Sequence, residues 1–315
     1  MQNTGIHHIS VLSSDARKAY AFYHHVLGLK LIIKTVNQDD PYMYHLFFGD
    51  ETGRQGTEFT VFQMATKPNQ FGSNAIERTL FLVPSYESLL FWRERLEAHE
   101  VCHYDLERFG EATMLRFEDD DAQPLGLVYH EGLDLSKFSP YVHPGIPAEH
   151  AILGLGGVQL RVRYAKATAR VLTEYFDFQP VATFEAYGHP VTVFRHEAND
   201  FGHEVHVIED KTSPIQRLGV GGIHHVAFGV EAKSDLEELE LELENQNIIN
   251  SGIKNRDFMW SSYFREPNYN LFEVATPITK ERETFPEPGA DFEAIPLFLP
   301  DFLAHRRDEI EAHLD

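Results

Sequence analysis

The chain reads as an α+β protein of four βαβββ modules, paired into two open cup-like barrels and followed by a C-terminal tail. Three observations predict this. The stretch Gly5-Ile6-His7-His8-Ile9 returns as Gly222-Ile223-His224-His225-Val226, each time opening an apolar run. Each copy is followed, roughly fifty residues later, by a second matching stretch: Val61-Phe62-Gln63-Met64-Ala65-Thr66 and Leu271-Phe272-Glu273-Val274-Ala275-Thr276. Between these landmarks, one run of helical spacing followed by three short alternating runs recurs four times. Self-similarity of this kind marks repeated supersecondary units.

The first module spans about residues 5–66. Ile6 to Leu12 is β-branched and alternating, a strand. Ser13-Ser14-Asp15 offers helix N-caps, Ala16 to Leu27 carries apolar Ala19, Phe22, Tyr23 and Val26 at helical spacing, and Gly28 is placed to cap its end. Strands follow at 30–36, 42–48 and 57–64. The second module, 75–130, has a strand at 78–83, a helix at 85–98 bearing Leu89, Leu90, Trp92 and Leu96, and strands near 101–108, 112–118 and 125–130. Pro140, Pro144, Gly145 and Pro147 mark 131–149 as a linker, which divides the chain into 1–145 and 146–276. The third module has a strand at 157–162, a helix at 165–175 and strands near 180–185, 190–196 and 203–208. The fourth has a helix at 234–246 and strands near 248–254, 258–264 and 270–275. The tail, 277–315, is Pro-rich and ends in a short acidic helix. It is read as a clamp or an oligomer contact, which leaves a homo-oligomer open.

Bulk composition narrows the function. The 315 residues carry a formal charge of −22, which opposes phosphate tracking on nucleic acid and attraction to anionic lipid. One cysteine, Cys102, excludes an internal disulfide and a Cys-based zinc site. No apolar run is long enough to span a membrane, and the N-terminus lacks a secretory signal pattern, so a cytoplasmic enzyme acting on small molecules is expected. The 18 histidines make any single one weak testimony. His45, amid Tyr44, Leu46 and Phe47, reads as a core histidine, and His203 and His206 do not read as a site.

The repeat supplies the candidate site. His8 and His225 hold equivalent positions on the opening strands, where the second and third modules place Arg78 and Gln159. Glu273 stands on the closing strand of the fourth module, with Gln63 at the matching point of the first. His8, His225 and Glu273 therefore form one metal site between the first and last modules. Two neutral imidazoles and a carboxylate leave open positions on a divalent ion, and the set suits Fe(II), with Mn(II) the alternative. Alternation along a strand aims one histidine of each pair at the metal and its neighbour away.

With these residues in view, the chain resembles the vicinal-oxygen-chelate (glyoxalase/extradiol dioxygenase) superfamily, and within it the hydroquinone ring-cleaving dioxygenases. The stretches that carry the likeness are Ile6-His7-His8-Ile9, Tyr44-His45-Leu46-Phe47-Phe48, Gly56-Thr57, Ile223-His224-His225, Lys254-Asn255-Arg256, Ser262-Tyr263 and Phe272-Glu273. The resemblance implies Fe(II) on His8, His225 and Glu273, with His7, His224, Arg256 and Tyr263 around a small aromatic diol and O2. It implies that His7 or His224 handles protons, Tyr263 holds the phenolate oxygen and Arg256 stabilises negative charge. Two alternatives share the fold: a glyoxalase-like isomerase or lyase, for which Gln63 would be a fourth ligand, and a non-catalytic small-molecule binder.

Overall fold

The computed structural model describes residues 1–196, 201–278 and 291–314. It contains the four modules in the expected order. The first is β1 (Asn3–Ser13), α1 (Ala16–Tyr20, continued by a π-helical turn Ala21–Val26), β2 (Lys30–Val36), β3 (Tyr44–Gly49) and β4 (Glu58–Gln63). The second is β5 (Ala75–Leu82), α2 (Tyr86–Ala98), β6 (Glu107–Phe109), β7 (Ala112–Glu118) and β8 (Pro124–Tyr129). The third is β9 (Gly154–Val162), α3 (Ala165–Tyr175), β10 (Gln179–Ala186), β11 (His189–Arg195) and β12 (Glu204–Glu209). The fourth is β13 (Ile223–Val230), α4 (Lys233–Asn245), β14 (Lys254–Asn255), β15 (Trp260–Arg265) and β16 (Leu271–Ala275). Asp15 caps α1 by accepting from the Arg17 and Lys18 amides, and Gly28 closes the π-helical turn at φ +71°. Strands β6 and β14 are shorter than the expected 101–108 and 248–254, because the start of each segment meets its neighbouring strand only at an isolated bridge, His103 with Phe117 and Asn250 with Phe264.

The modules pair across the chain, not along it. One eight-stranded sheet runs β14-β15-β16-β13-β1-β4-β3-β2, joining the first module to the fourth. The other runs β10-β11-β12-β9-β5-β8-β7-β6, joining the second to the third. Each sheet is thus built from both sides of the 131–149 linker. At the centre of the first sheet, β1 and β13 are antiparallel and related by a local two-fold: His8 faces Ala227 while Ser10 faces His225. The two ends of that sheet meet over the cup. Phe47 on β3 packs edge-on against Phe258, with ring centres 5.6 Å apart, and Gln38 Nε2 donates to the Arg256 carbonyl at 2.9 Å.

Gly56 seams the two sheets together. Its amide donates to the His7 carbonyl, and its own carbonyl accepts from Leu155. It sits at φ +86°, and a Cβ there would lie 2.9 Å from His203 Cε1, so only glycine fits. His203 completes the seam, accepting from the Ile6 amide through Nδ1 at 3.1 Å and donating from Nε2 to the Gly56 carbonyl at 3.2 Å.

The described part of the tail wraps the first module. Lys34 is buried on β2, and its ammonium donates to the Phe292 and Ile295 carbonyls at 2.8 and 3.1 Å while lying 4.1 Å from the centre of the Phe292 ring. The closing helix α5 (Arg307–Leu314) sets His313 against Tyr42. Replacing Lys34 by alanine is expected to cost about 2–3 kcal/mol, since charge-assisted bonds to buried carbonyls are lost. Urea unfolding would read this loss, and limited proteolysis would show the tail cut first. Unchanged proteolysis would mean that the clamp resides elsewhere.

Candidate metal centre and its cavity

His8, His225 and Glu273 meet at the floor of the first cup, all three buried. His8 Nε2 lies 3.2 Å from His225 Nε2 and 3.1 Å from Glu273 Oε2, and His225 Nε2 lies 2.8 Å from the same oxygen. Three donors on one face of an octahedron, each roughly 2.1 Å from its centre, make a triangle with edges of about 3 Å. The observed triangle has that size. Neither Glu273 oxygen finds a hydrogen-bond donor of good geometry, although both are fully buried. A buried carboxylate without donors is costly, and a cation shared with two imidazoles resolves it. Burial works to raise the Glu273 pKa, but the facing His8 and His225 rings hold it well below the usual carboxylate range. The residues present therefore fit a divalent metal.

Each ligand imidazole leans on its sequence neighbour. His8 Nδ1 is 3.0 Å from His7 Nδ1, and His225 Nδ1 is 2.8 Å from His224 Nδ1. With Nε2 kept free for a metal, each ligand ring carries its proton on Nδ1 and donates it to its neighbour, an arrangement that orients a ligand and raises its basicity. His7 then bears its own proton on Nε2, which donates to the Thr276 carbonyl at 3.1 Å. Strict alternation would have turned these neighbours to opposite faces. It is broken by two β-bulges. On β1 the register passes from Ile6 opposite Phe228 to His8 opposite Ala227, leaving His7 as an extra residue, and between Ser10 and Val11 it leaves His224 extra on β13. A bulge re-aims side chains, and here both extra residues are the histidines whose Nδ1 atoms meet those of His8 and His225.

The surroundings of the two pairs differ. His7 is fully buried, lies off the cavity and has Glu58 Oε2 3.7 Å from its Nδ1. His224 lines the cavity, and burial followed by the nearby His225 lowers its pKa to about 3, so it is neutral. Tyr263 stands opposite Glu273 in the sheet and presents its ring edge-on to His225 at 5.6 Å. Burial, then the Glu273 charge, raises its hydroxyl pKa well above normal, so it remains a donor. Arg256 lies over the Tyr263 ring at 5.5 Å and pairs with Asp39 at 2.9 Å near the rim. All four lateral candidates are thus near the triad, three of them on the cavity wall.

The cavity measures about 290 Å³. That is at the small end of ligand sites, roughly 300–1,000 Å³, and suits a single ring. Phe47, Phe62, Phe258, Met64 and Met259 give it an aromatic and thioether wall. Two groups passed over in the sequence also belong here. Ser10 Oγ lies 2.9 Å from His225 Nε2 and 2.6 Å from Thr60 Oγ1. His45, expected in the core, lines the cavity and places Nε2 3.0 Å from the same Thr60 hydroxyl. The signal was available for Ser10, which shares a strand face with His8 two residues before it.

Gln63 is not the counterpart of Glu273. Strand pairing sets Ser10 beside Thr60 on β4 and Ala227 beside Glu273 on β16, so the local two-fold matches Glu273 with Thr60. The resemblance between 61–66 and 271–276 is displaced by three residues from the true register. Gln63 instead accepts from the Ala16 amide at 2.9 Å, helping to cap α1. Gln63→Ala is expected to cost about 1 kcal/mol of stability through that lost cap while leaving metal content and turnover unchanged. Loss of metal from this variant would restore a ligand role.

The second cup has no such triad among the described residues. Arg78 follows the bulged Glu77 as His8 follows His7, and its guanidinium fills the interior, donating to Gln159 Oε1 at 3.2 Å and to the Leu125 carbonyl at 2.7 Å. His206 there bonds Glu204 at 2.8 Å under the Phe109 ring. A further trio, the buried His24 with His25 and His143, gathers at the π-helical turn after α1. It has no carboxylate, and His143 Nδ1 is already taken by the Gly145 amide.

Comparison with known proteins decides the family. The model of the Glyoxalase/Bleomycin resistance protein/Dioxygenase superfamily matches residues 5–122. The candidate ring-cleaving dioxygenase MhqA of Bacillus subtilis is 39% identical, over 100% of this chain and 99% of its own. The chain belongs to this superfamily. It is a dioxygenase, in keeping with a second relative, the chlorohydroquinone/hydroquinone 1,2-dioxygenase of Sphingobium indicum, 26% identical over 93% of this chain and 91% of its own. The crystal structure of a candidate dioxygenase from Bacillus subtilis superposes with a TM-score of 0.84 at 28% identity, covering 100% of this chain and 97% of that one. Among the described residues, no helix is long and apolar enough to cross a membrane.

Proposed function

We propose that this dioxygenase holds Fe(II) on His8, His225 and Glu273 and opens the ring of a hydroquinone-type aromatic diol with O2. The observation that carries the reading is the 2.8–3.2 Å triangle of donors at the floor of a small aromatic cavity. Bound there, Fe(II) would supply the positive charge that favours a phenolate and a path for electrons from the ring to dioxygen. The hydroquinone assignment draws on the Sphingobium relative's name and on the size and aromatic lining of the cavity.

The chain's own groups divide the remaining work. His7 acts only through His8, which it orients. His224 accepts from His225 and so carries its proton on Nε2, as a donor on the cavity wall. Tyr263, kept protonated, donates toward oxygen held beside Glu273, and Arg256 adds positive charge behind it. Phe47, Phe62 and Phe258 sandwich the ring and keep bulk water away. Oxygen uptake tests the reading. Anaerobically purified protein loaded with Fe(II) is mixed with methylhydroquinone and, separately, with catechol. Uptake above autoxidation, abolished by His225→Ala, is expected with the hydroquinone. One tightly bound metal per chain with no uptake from either diol would overturn it.

A further inference from the structure

His45 is held as few wall residues are. Its ring stacks on Phe62 at a centroid distance of 3.9 Å and 22° and lies against Phe47 at 4.2 Å. Its Nε2 is fixed by Thr60 Oγ1 at 3.0 Å, Thr60 by Ser10 Oγ at 2.6 Å, and Ser10 reaches His225 Nε2 at 2.9 Å. Its Nδ1 has no hydrogen-bond partner among the described residues and is not a sealed atom, so it is left open to the cavity. Burial, and then the proximity of His8 and His225, holds the His45 pKa well below its ordinary value, so the ring is neutral.

The position of this nitrogen matters. The metal ligands sit on β1, β13 and β16, while His45 stands on β3, beyond β4 in the same curved sheet. It is two hydroxyl groups removed from His225. Tyr263, Arg256 and His224 come from the opposite flank, and Arg256 is committed to Asp39. A diol whose two oxygens are adjacent would present both at the metal. A diol whose oxygens lie across the ring would carry the second one away from the metal and toward the far wall.

On the iron and hydroquinone reading given above, we propose that His45 binds the distal hydroxyl of a para-diol and is the residue that selects such rings over ortho-diols and monophenols. Thr60 and Ser10 aim it. Both hydroxyls can donate in either direction, so the Ser10–Thr60–His45 line accommodates Nδ1 as acceptor from a hydroxyl or as donor to a distal phenolate. A site built to bond a hydroxyl rejects the analogue lacking it, because its own polar group is then left unpaired.

Binding and turnover separate this proposal from the function beneath it. Protein loaded with Zn(II), which is redox-inert, is titrated calorimetrically without oxygen using hydroquinone, 4-methoxyphenol and catechol. Wild type is expected to prefer hydroquinone to 4-methoxyphenol by about tenfold or more. His45→Phe should erase that preference while retaining one metal per chain, and His45→Gln, which keeps a hydrogen-bonding group, should restore part of it. Thr60→Val, which leaves the ring in place but unaimed, should give an intermediate loss and guards against misfolding of the phenylalanine variant. With Fe(II), the kcat/KM ratio of hydroquinone to catechol should fall in parallel. Equal weakening of all three ligands in His45→Phe and no change in Thr60→Val would overturn the assignment. Failure of the wild type to consume oxygen with any diol would instead sink the iron–hydroquinone reading itself.

Discussion

Replacing Glu273 by glutamine is expected to lower metal affinity and oxygen uptake together by about two orders of magnitude or more. Loss of a mere outer partner of a ligand costs roughly 10- to 100-fold, and here a charged ligand is lost. The same variant separates a metal centre from a structural ion pair. If the triad were a structural pair, breaking it would destabilise the metal-free protein by about 3–5 kcal/mol. As a metal centre it behaves otherwise. At pH 8 and without metal, wild type buries a carboxylate neither of whose oxygens finds a hydrogen-bond donor of good geometry. Metal-free Glu273→Gln should then be at least as stable as metal-free wild type. Metal at a thousandfold excess over the wild-type Kd should stabilise wild type by about 4 kcal/mol and the variant by about 1.4 kcal/mol or less. Urea unfolding of both proteins, with and without metal, gives the four numbers. A large metal-free loss in Glu273→Gln would end the metal assignment.

The triad was legible because its histidines lie inside a local motif that repeats. Gly-Ile-His-His needs no tertiary knowledge to be seen twice. The third member of the triad is reached through a neighbouring similarity that lies three residues out of step in the first module. The similarity leads to Glu273 but aligns Gln63 with it where strand pairing selects Thr60. Register is set by hydrogen bonding between strands, which sequence likeness does not report. The bulges at His7 and His224 were hidden for the same reason, since an extra residue on one strand leaves no compositional mark. The partner of each module was hidden as well: four similar units offer similar edges, and the first pairs with the fourth. His45 was misplaced because a residue facing a packed core and one facing a lined cavity show the same alternation with Leu46 and Phe47.

Between pH 7 and pH 5, two buried histidines and one buried aspartate outside the triad are expected together to cost the protein about 2–3 kcal/mol of stability. Burial lowers the pKa of His203 to about 3 and that of His24 to about 4, against an ordinary value of 6.5. Below 6.5 the unfolded chain takes up protons that the folded protein refuses until pH 3–4, so stability is full above pH 7 and falls as pH falls. Each group accounts for about 2 kcal/mol at pH 5. Asp119 works in the other direction. Burial raises its pKa to about 6 despite a 2.6 Å bond from the Tyr23 hydroxyl, so the folded state binds its proton first and recovers about 1 kcal/mol at pH 5. The histidines outweigh it. His203→Gln isolates the largest share, because an amide can still accept from the Ile6 amide and donate to the Gly56 carbonyl but cannot be protonated in this range. From pH 7 to 5 it should lose about 2 kcal/mol less stability than wild type. Urea midpoints across that interval measure the slope. The same slope in wild type and variant would show that the seam between the sheets does not hold His203 neutral.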